Sequence, residues 1–429
     1  MLRHLFNIYQ KKVHRLTRRL GPHALYEKAP RNPVILNRIG LFQTTLETKT
    51  PRLPEFALAR ARAALEIGHD TVLAAPRYAG LVSDHERRQY ALALARSEPR
   101  AALPWLRPGE SALRAACLLA AGDTGGAMDA LRPLDPMLSK SKDLHAIFAA
   151  VHIQAGEFSR ARKYLKYALT NTCMDDIADD SPLKMADFVG KKCTRAAGGA
   201  LVSVIVCARD AQSTISLALS SVAAQAYRDI EIIAIDDGSA DHTFQHMLRM
   251  ARVDPRITVH RFPNNGAYAS RNIGMRLAKG DFITFLDADD IMLPHRVAAQ
   301  VAQLERTGAH AAVSRLIRLS EDGRLVAPRI YPYIRHNPCS LMLRRSAALA
   351  VGDFEEVRMG ADEEYEHRIG LLLGRDAVTR SADVQTLALH RGTSLTQAPD
   401  SGLNSPRGRR ARIAYREAWV RRHARAARP

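Results

Sequence analysis

Hydrophobic and polar positions along this 429-residue chain follow two different periodic patterns. Between about residues 56 and 168, Ala, Leu and Ile recur at helical spacing, which predicts an all-α region. After residue 201, short apolar runs alternate with helix-length segments, and this alternation predicts a parallel, doubly wound sheet. The apolar runs predict strands over residues 202–206, 230–235, 257–262 and 282–286.

The all-α region contains a weak internal repeat. Ala121-Gly122-Asp123 recurs as Ala155-Gly156-Glu157 at an offset of 34 residues, and small or apolar positions around it pair at the same offset. This period resembles that of tetratricopeptide helix hairpins, and a plain helical bundle is the alternative. Hairpins of this kind predict a surface that docks a protein partner.

Composition divides the chain into five expected parts. These are a basic N-terminal segment (1–55), a helical repeat-like domain (56–175), a polar linker (176–199), the alternating α/β domain (200–396) and an arginine-rich C-terminal tail (397–429). Residues 2–20 place apolar side chains at helical spacing between bases, which predicts either an amphipathic helix on an anionic membrane or a helix packed on its own domain. Residues 21–55 contain several prolines and are expected to be irregular.

The charge balance narrows the choice of partners. Lys and Arg total 63 against 44 Asp and Glu, a net charge of +19, which favours nucleic acid, anionic lipid or phosphorylated substrates. The arginine-rich tail has few aromatic residues and no recognised nucleic-acid-binding module, so it predicts a solvated helix or a contact with anionic lipid, and nucleic acid is the least favoured partner. The chain has no apolar run of the ~18–20 residues that a membrane span needs, no signal-peptide core and five scattered cysteines without a Cys-x-x-Cys pair. We therefore expect a cytoplasmic protein, with the inner face of the membrane as an alternative location.

Two of the predicted strands lead into carboxylates. The fourth ends in Leu286-Asp287-Ala288-Asp289-Asp290, and the second ends in Asp236-Asp237-Gly238-Ser239. Acids at the carboxyl edge of an open α/β sheet lie where such folds bind ligands. Two acids one residue apart can share a hard divalent cation that also binds a substrate diphosphate. For the second segment, an ordinary turn followed by a helix cap is the alternative.

The order and spacing of several short motifs point to one family. These motifs occupy residues 202–206, 225–233, 236–239, 265–266, 270–274, 278–282 and 286–290. Together they resemble glycosyltransferase family 2, closely over residues 201–306 and more loosely to about residue 396. The resemblance implies a doubly wound mixed α/β sheet of the nucleotide-sugar-binding type A fold (GT-A), with a Rossmann-like nucleotide-binding half, placed after the all-α helical-hairpin domain.

The resemblance also implies a donor site and a metal site. Asp237 matches an acid that contacts the nucleotide base, and Arg271 matches a basic residue near the diphosphate. Asp287 and Asp289 match the Asp-x-Asp pair, with Asp289 as the ligand of Mg²⁺ or Mn²⁺ and Asp287 facing both the ribose and the metal. The first strand departs from the family pattern, and Asp210 is the residue expected to keep a donor-binding role there.

An inverting transferase also needs a general base that takes a proton from the acceptor hydroxyl. An acidic segment that begins at residue 360 resembles a helix start in the family. It implies Asp362 as the base with Glu363 as the fallback, Glu364 as a second catalytic acid and Arg368 as a donor-binding arginine. A free Asp has a pKa of about 3.9, so it is ionised at neutral pH and needs only correct placement. An acidic first turn that complements the helix dipole is the alternative.

Three later segments add to this picture. Residues 311–326 predict a β-hairpin with its turn at 321–323. Residues 337–342 resemble the family segment that lines the acceptor side. His390 matches a late histidine that reaches the metal or the diphosphate in some relatives, and a structural or exposed histidine is the alternative.

The predicted activity is an inverting, metal-dependent glycosyl transfer. The donor is expected to be a nucleotide sugar, with UDP as the nucleotide, and the acceptor a hydroxyl of a glycan or a lipid-linked sugar in surface or capsular polysaccharide or glycolipid synthesis. The alternative is a helical-repeat scaffold whose α/β domain binds a nucleotide sugar without catalysis. A nucleic-acid-binding protein and a nucleotidyltransferase are further alternatives.

Overall fold

The computed structural model describes residues 32–38, 41–47, 54–67, 79–169, 180–189, 198–392, 402 and 405–426. The amphipathic helix expected over residues 2–20 and most of the expected linker lie outside these residues. The chain forms two compact units. The helical unit comprises Met1–Leu134, Pro328–Tyr331 and Gly392–Pro429, and the sheet unit comprises Asp135–Ala327 and Pro332–Arg391.

The helical unit consists of short helices joined by tight turns. Its helices α1 to α7 are Pro33–Arg38, Phe42–Glu47, Pro54–Ile67, Asp84–Ala95, Pro99–Ala102, Ser111–Ala120 and Thr124–Leu131. The expectation of an irregular segment before residue 55 is wrong for α1 and α2, because Val34, Leu36 and Leu41 are fully buried there. Burial of an apolar face stabilises such short helices, which are marginal in isolation.

The arginine-rich C-terminal segment is part of the helical unit. Pro406–Ala426 is a 21-residue helix, and its Trp419 and Val420 are buried. The Glu417 carboxylate accepts a hydrogen bond of 2.7 Å from the backbone N–H of Gln43 in α2. The expectation of a solvated helix is therefore wrong. One face of this helix packs within the helical unit, while most of its arginines lie on the other faces.

The sheet unit is built on one mixed sheet. Its strands β1 to β9 are Val202–Ala208, Ile230–Asp237, Ile257–Phe262, Phe282–Asp287, Ile291–Met292, Ala311–Ser320, Leu325–Val326, Arg335–Arg344 and Val378–His390. The strand order is β3-β2-β1-β4-β8-β6-β9-β5, with β7 paired to β6. The first four strands in this order are parallel, and β8 pairs antiparallel with both β4 and β6. The predicted mixed sheet with a Rossmann-like half is confirmed.

Helices cover both faces of this sheet. Helices α8 to α15 are Lys142–Gln154, Phe158–Ala168, Ile215–Ala223, Thr243–Val253, Ala267–Leu277, Arg296–Thr307, Arg345–Val351 and Ala361–Leu372. Along β1, Val204 and Val206 belong to the core on one face and Ile205 to the core on the other, as the two-residue period of a strand requires. In the described part of the chain, the helices are too short or too polar to cross a bilayer.

Both helix hairpins of the proposed repeat form. Helices α6 and α7 meet at Gly122 (φ 79°), and α8 and α9 meet at Gly156 (φ 77°), so each turn uses a left-handed conformation that glycine adopts without strain. The second hairpin belongs to the sheet unit, because Asp143 in α8 accepts a 2.9 Å hydrogen bond from the backbone N–H of Ile334 and Lys142 pairs with Asp383. The relation to tetratricopeptide repeats and the docking of a partner stay predictions.

The parallel strand order brings the carboxylates to one edge. In the strand register, Cys207 of β1 lies opposite Asp287 of β4, and Ala208 lies opposite Asp236 of β2. Strand β8 runs the other way along β4, pairing Met342 with Thr284. Its earlier residues therefore pass the carboxyl end of β4, where they border the acids.

Candidate active site

The end of β4 carries three carboxylates within one turn. The backbone N–H of Asp290 donates to the carbonyl of Asp287 at 3.1 Å, which closes this turn. Burial, together with the charge of Asp287, raises the pKa of Asp289 to about 6. Burial and both neighbouring acids raise the pKa of Asp290 well above its usual range. The turn therefore crowds acidic groups whose ionised forms a bound cation would stabilise.

Arg271 is a buried cation that contacts the first acid of this turn. Its Nη2 donates to Asp287 Oδ1 at 2.5 Å, and its guanidinium lies 5.2 Å from the ring centre of Tyr268 and 5.8 Å from that of Phe285. Helix α12 can deliver Arg271 here because Gly274, one turn later, lets the helix lie directly on β1. A Cβ at that position would be only 2.5 Å from Ile205 Cγ2.

Asp362 lies in the first turn of α15, after Gly360 (φ 86°). Its Oδ1 accepts a hydrogen bond from the Tyr268 hydroxyl at 3.0 Å, and its Oδ2 accepts one from Cys339 Sγ at 3.4 Å. Cys339 Sγ in turn accepts from Arg271 Nη2 at 3.7 Å. The contacts from Asp362 through Cys339 and Arg271 to Asp287 therefore run without a break across one site.

Asp237 and Asp210 fix the loops at the ends of β2 and β1. The two Asp237 oxygens accept hydrogen bonds from the backbone N–H groups of Asn265 at 2.8 Å and Gly266 at 3.0 Å. Asp210 adopts a left-handed conformation (φ 49°), and its Oδ1 accepts from the Ala240 N–H at 2.8 Å. Each carboxylate oxygen has a further lone pair, so these contacts leave capacity for a ligand.

Glu364 and Arg368 form an ion pair in α15. Arg368 donates to the two Glu364 carboxylate oxygens at 3.0 and 3.1 Å. It also donates to the carbonyls of Val351 and Asp353 at 3.0 and 2.8 Å. The pair therefore ties the helix to the loop that precedes it. The fallback base, Glu363, is half-buried beside Asp362, and its N–H donates to Asp362 Oδ1 at 3.0 Å.

Asp287 and Asp289 are the residues that could hold a divalent cation. Within the described residues, there is no cluster of three or more His, Cys, Asp or Glu side chains that could hold a metal on its own. Mg²⁺ commonly binds through one or two carboxylates and completes its shell with water and substrate phosphate oxygens. Burial and the charge of Asp287 raise the pKa of Asp289 in spite of the nearby Arg391, and a bound cation would favour the ionised carboxylate. The donor set fits a cation shared with a substrate.

His390 is the last residue of β9, and Arg391 follows it. This strand end lies beside the turn of acids that follows β4. The backbone N–H of Leu389 donates to Asp290 Oδ1 at 3.2 Å, which holds this strand end against the turn. Burial and the nearby charge of Arg318 lower the pKa of His390, so its imidazole stays in the neutral form that can bind a metal. Arg391 Nη2 lies 3.6 Å from Asp289 Oδ2.

Three site residues received no role from the sequence. Tyr268 lies one helical turn before Arg271, a spacing that puts both on one helix face. Cys339 falls in the segment matched to the acceptor side, but a lone cysteine carries no motif. Arg296 is fully buried and donates to the Phe285 carbonyl at 2.8 Å and to Thr284 Oγ1 at 3.1 Å, beneath the end of β4. Only the fold shows that these positions meet.

Comparison with known proteins decides the family of this domain. Residues 203–365 match the family model described as Glycosyl transferase family 2. They form a glycosyl transferase family 2 domain. The match contains all of β1 except its first residue, all of β2 to β4, Arg271, the acids of β4 and Asp362, so the sequence resemblance to this family is confirmed.

Several curated relatives each match a part of the chain. An uncharacterized glycosyltransferase of Haemophilus influenzae is 40% identical over 107 residues, which cover 25% of this chain and 33% of that protein. The Escherichia coli protein named UDP-Glc:alpha-D-GlcNAc-diphosphoundecaprenol beta-1,3-glucosyltransferase WfgD is 29% identical over 136 residues, 31% of this chain and 53% of that protein. The succinoglycan biosynthesis protein ExoO of Rhizobium meliloti is 36% identical over 124 residues, 29% of this chain and 35% of that protein. The chain thus spans about a third to a half of these relatives.

Among solved structures, S. aureus TarS residues 1–349 in complex with UDP-GlcNAc align with a TM-score of 0.38 and 20% sequence identity, over 45% of this chain and 60% of that chain. GalNAc-T7 with UDP, GalNAc and Mn²⁺ aligns with a TM-score of 0.39 and 16% identity, over 45% of this chain and 43% of that chain.

Proposed function

We propose that this protein is an inverting glycosyltransferase that moves a sugar from a UDP-sugar to a hydroxyl of a glycan or lipid-linked acceptor. The observation that carries the proposal is the unbroken series of contacts from Asp287 through Arg271 and Cys339 to Asp362. A displacement with inversion needs a group that steadies the departing nucleotide and a base on the opposite side of the anomeric carbon. The series supports such a site, because it holds a cation and two carboxylates next to one another.

The donor binds at the carboxyl edge of β1, β2 and β4 in this proposal. Asp237 and Asp210 shape the two loops that receive the nucleotide, and their remaining lone pairs accept hydrogen bonds from base N–H or ribose hydroxyl groups. Arg271 is buried, so its charge acts on a diphosphate in a site of low dielectric constant, where charge stabilisation is strong. When the diphosphate binds to Arg271, the Asp287 carboxylate can release its hydrogen bond from Arg271 and accept one from a ribose hydroxyl instead.

Asp289 and Asp287 would hold Mg²⁺ or Mn²⁺, with His390 as a further candidate ligand. A cation held by these residues would neutralise charge that develops on the leaving diphosphate. Arg391, next to Asp289, is placed to bind the same diphosphate. This donor set needs substrate oxygens to complete a coordination shell, so metal and donor are expected to bind together.

Asp362 is the proposed general base. The acceptor hydroxyl attacks the anomeric carbon from the side opposite the nucleotide, its proton passes to Asp362, and the electron pair of the breaking bond leaves with the diphosphate. Glu364 and Arg368 act indirectly, because their contacts hold the start of α15. Glu363 is the fallback base on the same turn.

Support for the substrate classes comes from relatives. The full name of WfgD specifies UDP-glucose as donor and a sugar linked to diphosphoundecaprenol as acceptor, and ExoO is named for succinoglycan biosynthesis. By similarity, these names support a nucleotide sugar as the donor and a glycan or lipid-linked sugar as the acceptor of this chain. We propose a cytoplasmic location at the inner face of the membrane, where such an acceptor would be reached.

A donor panel tests the proposal. Full-length protein is incubated with UDP-, GDP- and TDP-sugars and Mn²⁺, with and without EDTA, and release of nucleoside diphosphate is measured. We expect release from a UDP-sugar, loss of activity with EDTA, and loss in Asp289→Ala but not in Asp322→Ala, an exposed control in the β6–β7 turn.

Two results would contradict the proposal. Pyrophosphate release from a sugar phosphate and a nucleoside triphosphate would indicate nucleotidyl transfer. Inactivity towards every donor, with the cellular role preserved in Asp289→Ala, would indicate a scaffold.

A further inference from the structure

The carboxylate of Asp362 is held differently at its two oxygens. Oδ1 accepts from the Tyr268 hydroxyl at 3.0 Å and from the Glu363 N–H at 3.0 Å. Oδ2 accepts from Cys339 Sγ at 3.4 Å, its one hydrogen bond within the described residues. A carboxylate oxygen offers about two lone-pair sites, so Oδ1 is filled and Oδ2 keeps one lone pair.

Cys339 is itself oriented by the donor side of the site. Arg271 Nη2 donates to Cys339 Sγ at 3.7 Å and to Asp287 Oδ1 at 2.5 Å. An arginine has donors and no acceptor, so the sulfur must accept from Arg271 and its own proton points towards Asp362. Burial raises the pKa of the Cys339 thiol well above its usual range, which keeps that proton in place.

We propose that Cys339 is a positioning residue for the transfer reaction, which aims Oδ2 of Asp362 at the acceptor hydroxyl and links the base to Arg271. The inference rests on the proposed glycosyl transfer. A thiol is a weak donor, so it fixes the carboxylate without filling the lone pair that receives the proton. Tyr268 and Glu363 hold the other oxygen, which leaves Oδ2 as the reacting atom.

The transfer step then has a defined proton path. The acceptor O–H bond breaks as its oxygen bonds to the anomeric carbon, and the proton moves to Asp362 Oδ2. The bond between the anomeric carbon and the diphosphate oxygen breaks, and its electron pair leaves with the diphosphate beside Arg271. Cys339 exchanges no atom in this step, since it touches the base and not the reacting sugar.

Steady-state kinetics of Cys339→Ala and Cys339→Ser test the proposal, with the UDP-sugar that the donor panel identifies. A misplacement of about 1 Å can cost 10²-fold in rate, so we expect kcat for transfer to fall about 10- to 100-fold in Cys339→Ala. The affinity for UDP, measured by calorimetry, should change by less than about threefold. Cys339→Ser, which keeps a donor hydroxyl, should recover part of kcat.

Two comparisons separate positioning from loss of structure. Cys117→Ala removes a buried thiol from the core of the helical unit and should leave kcat unchanged. In an Asp362→Asn background, Cys339→Ala should cause no further loss of kcat, because residues that act as one unit are not additive. If Cys339→Ala proves unstable, Cys339→Ser is compared with Cys117→Ala and is combined with Asp362→Asn in its place.

Three results would overturn the inference. They are an unchanged kcat in Cys339→Ala, an equal loss of UDP affinity and kcat, and an additive loss in the Asp362→Asn background. Each of these results is a comparison with the wild type, so it requires a wild-type protein that is active. A wild type that releases no nucleoside diphosphate from any donor is a distinct failure, that of the proposed function.

Discussion

Glutamine in place of Glu364 should destabilise the sheet unit while sparing catalysis. The Glu364 side chain is 1% exposed and that of Arg368 is 20% exposed, so the change leaves a largely buried guanidinium without its counter-charge. Breaking a fully buried pair costs ~3–5 kcal/mol. Because Arg368 is one-fifth exposed and keeps two carbonyl acceptors, we expect about 2 kcal/mol.

Thermal and urea unfolding measure this change. A loss of about 2 kcal/mol corresponds to a fall in Tm of roughly 4–8 °C for a unit of this size. Glu356→Gln removes the same charge from an exposed position in the neighbouring loop and should change the stability by less than about 0.5 kcal/mol. At a temperature where both variants are folded, kcat of Glu364→Gln should stay within about threefold of wild type. An unchanged Tm with kcat reduced about 100-fold or more would refute the structural role and make Glu364 a catalytic acid.

Three further predictions concern packing and charge. Gly274→Ala should cost about 1–3 kcal/mol in urea unfolding, because the new Cβ would meet Ile205 Cγ2 at 2.5 Å; wild-type stability would show that α12 is not seated on β1. Since the folded-state pKa of Asp289 is raised to about 6 from 3.8, its ionisation removes stability as pH rises from about 4 to 6. Thermal melts in EDTA should therefore show Asp289→Asn to be more stable than wild type at pH 7 and equally stable below pH 4. A less stable Asp289→Asn at pH 7 would contradict the raised pKa of Asp289. Trp419→Ala should lower stability by ~3–5 kcal/mol, and a melt unchanged from wild type would mean that the C-terminal helix is not packed.

Sequence patterns predicted the sheet because their physical basis is local. Strands β1 to β4 are short apolar runs bounded by turn residues, and the acids of β4 follow directly from the strand that carries them. Parallel strand order then brings the ends of β1, β2 and β4 to one edge. Asp287 and Asp237 could therefore be assigned to the same edge from spacing alone.

The contacts around the base could not be predicted in this way. Asp362 meets Tyr268 across 94 positions of sequence and Cys339 across 23, and no periodicity encodes such pairs. The ion pair of Glu364 with Arg368 was equally hidden, since an acidic first turn looks the same whether its side chains face substrate or a buried arginine. Packing of the arginine-rich helix was also hidden, because its larger buried apolar side chains, Trp419 and Val420, are few within a strongly charged segment.

The most direct test of the account is single-turnover transfer by Asp362→Asn, with UDP affinity measured on the same sample. We expect the transfer rate to fall at least about 10³-fold, within the range that general-base catalysis contributes. UDP binding should stay within about threefold of wild type, because the donor contacts of Arg271 and Asp287 are unchanged. Wild-type turnover in Asp362→Asn would contradict the central claim that this carboxylate deprotonates the acceptor.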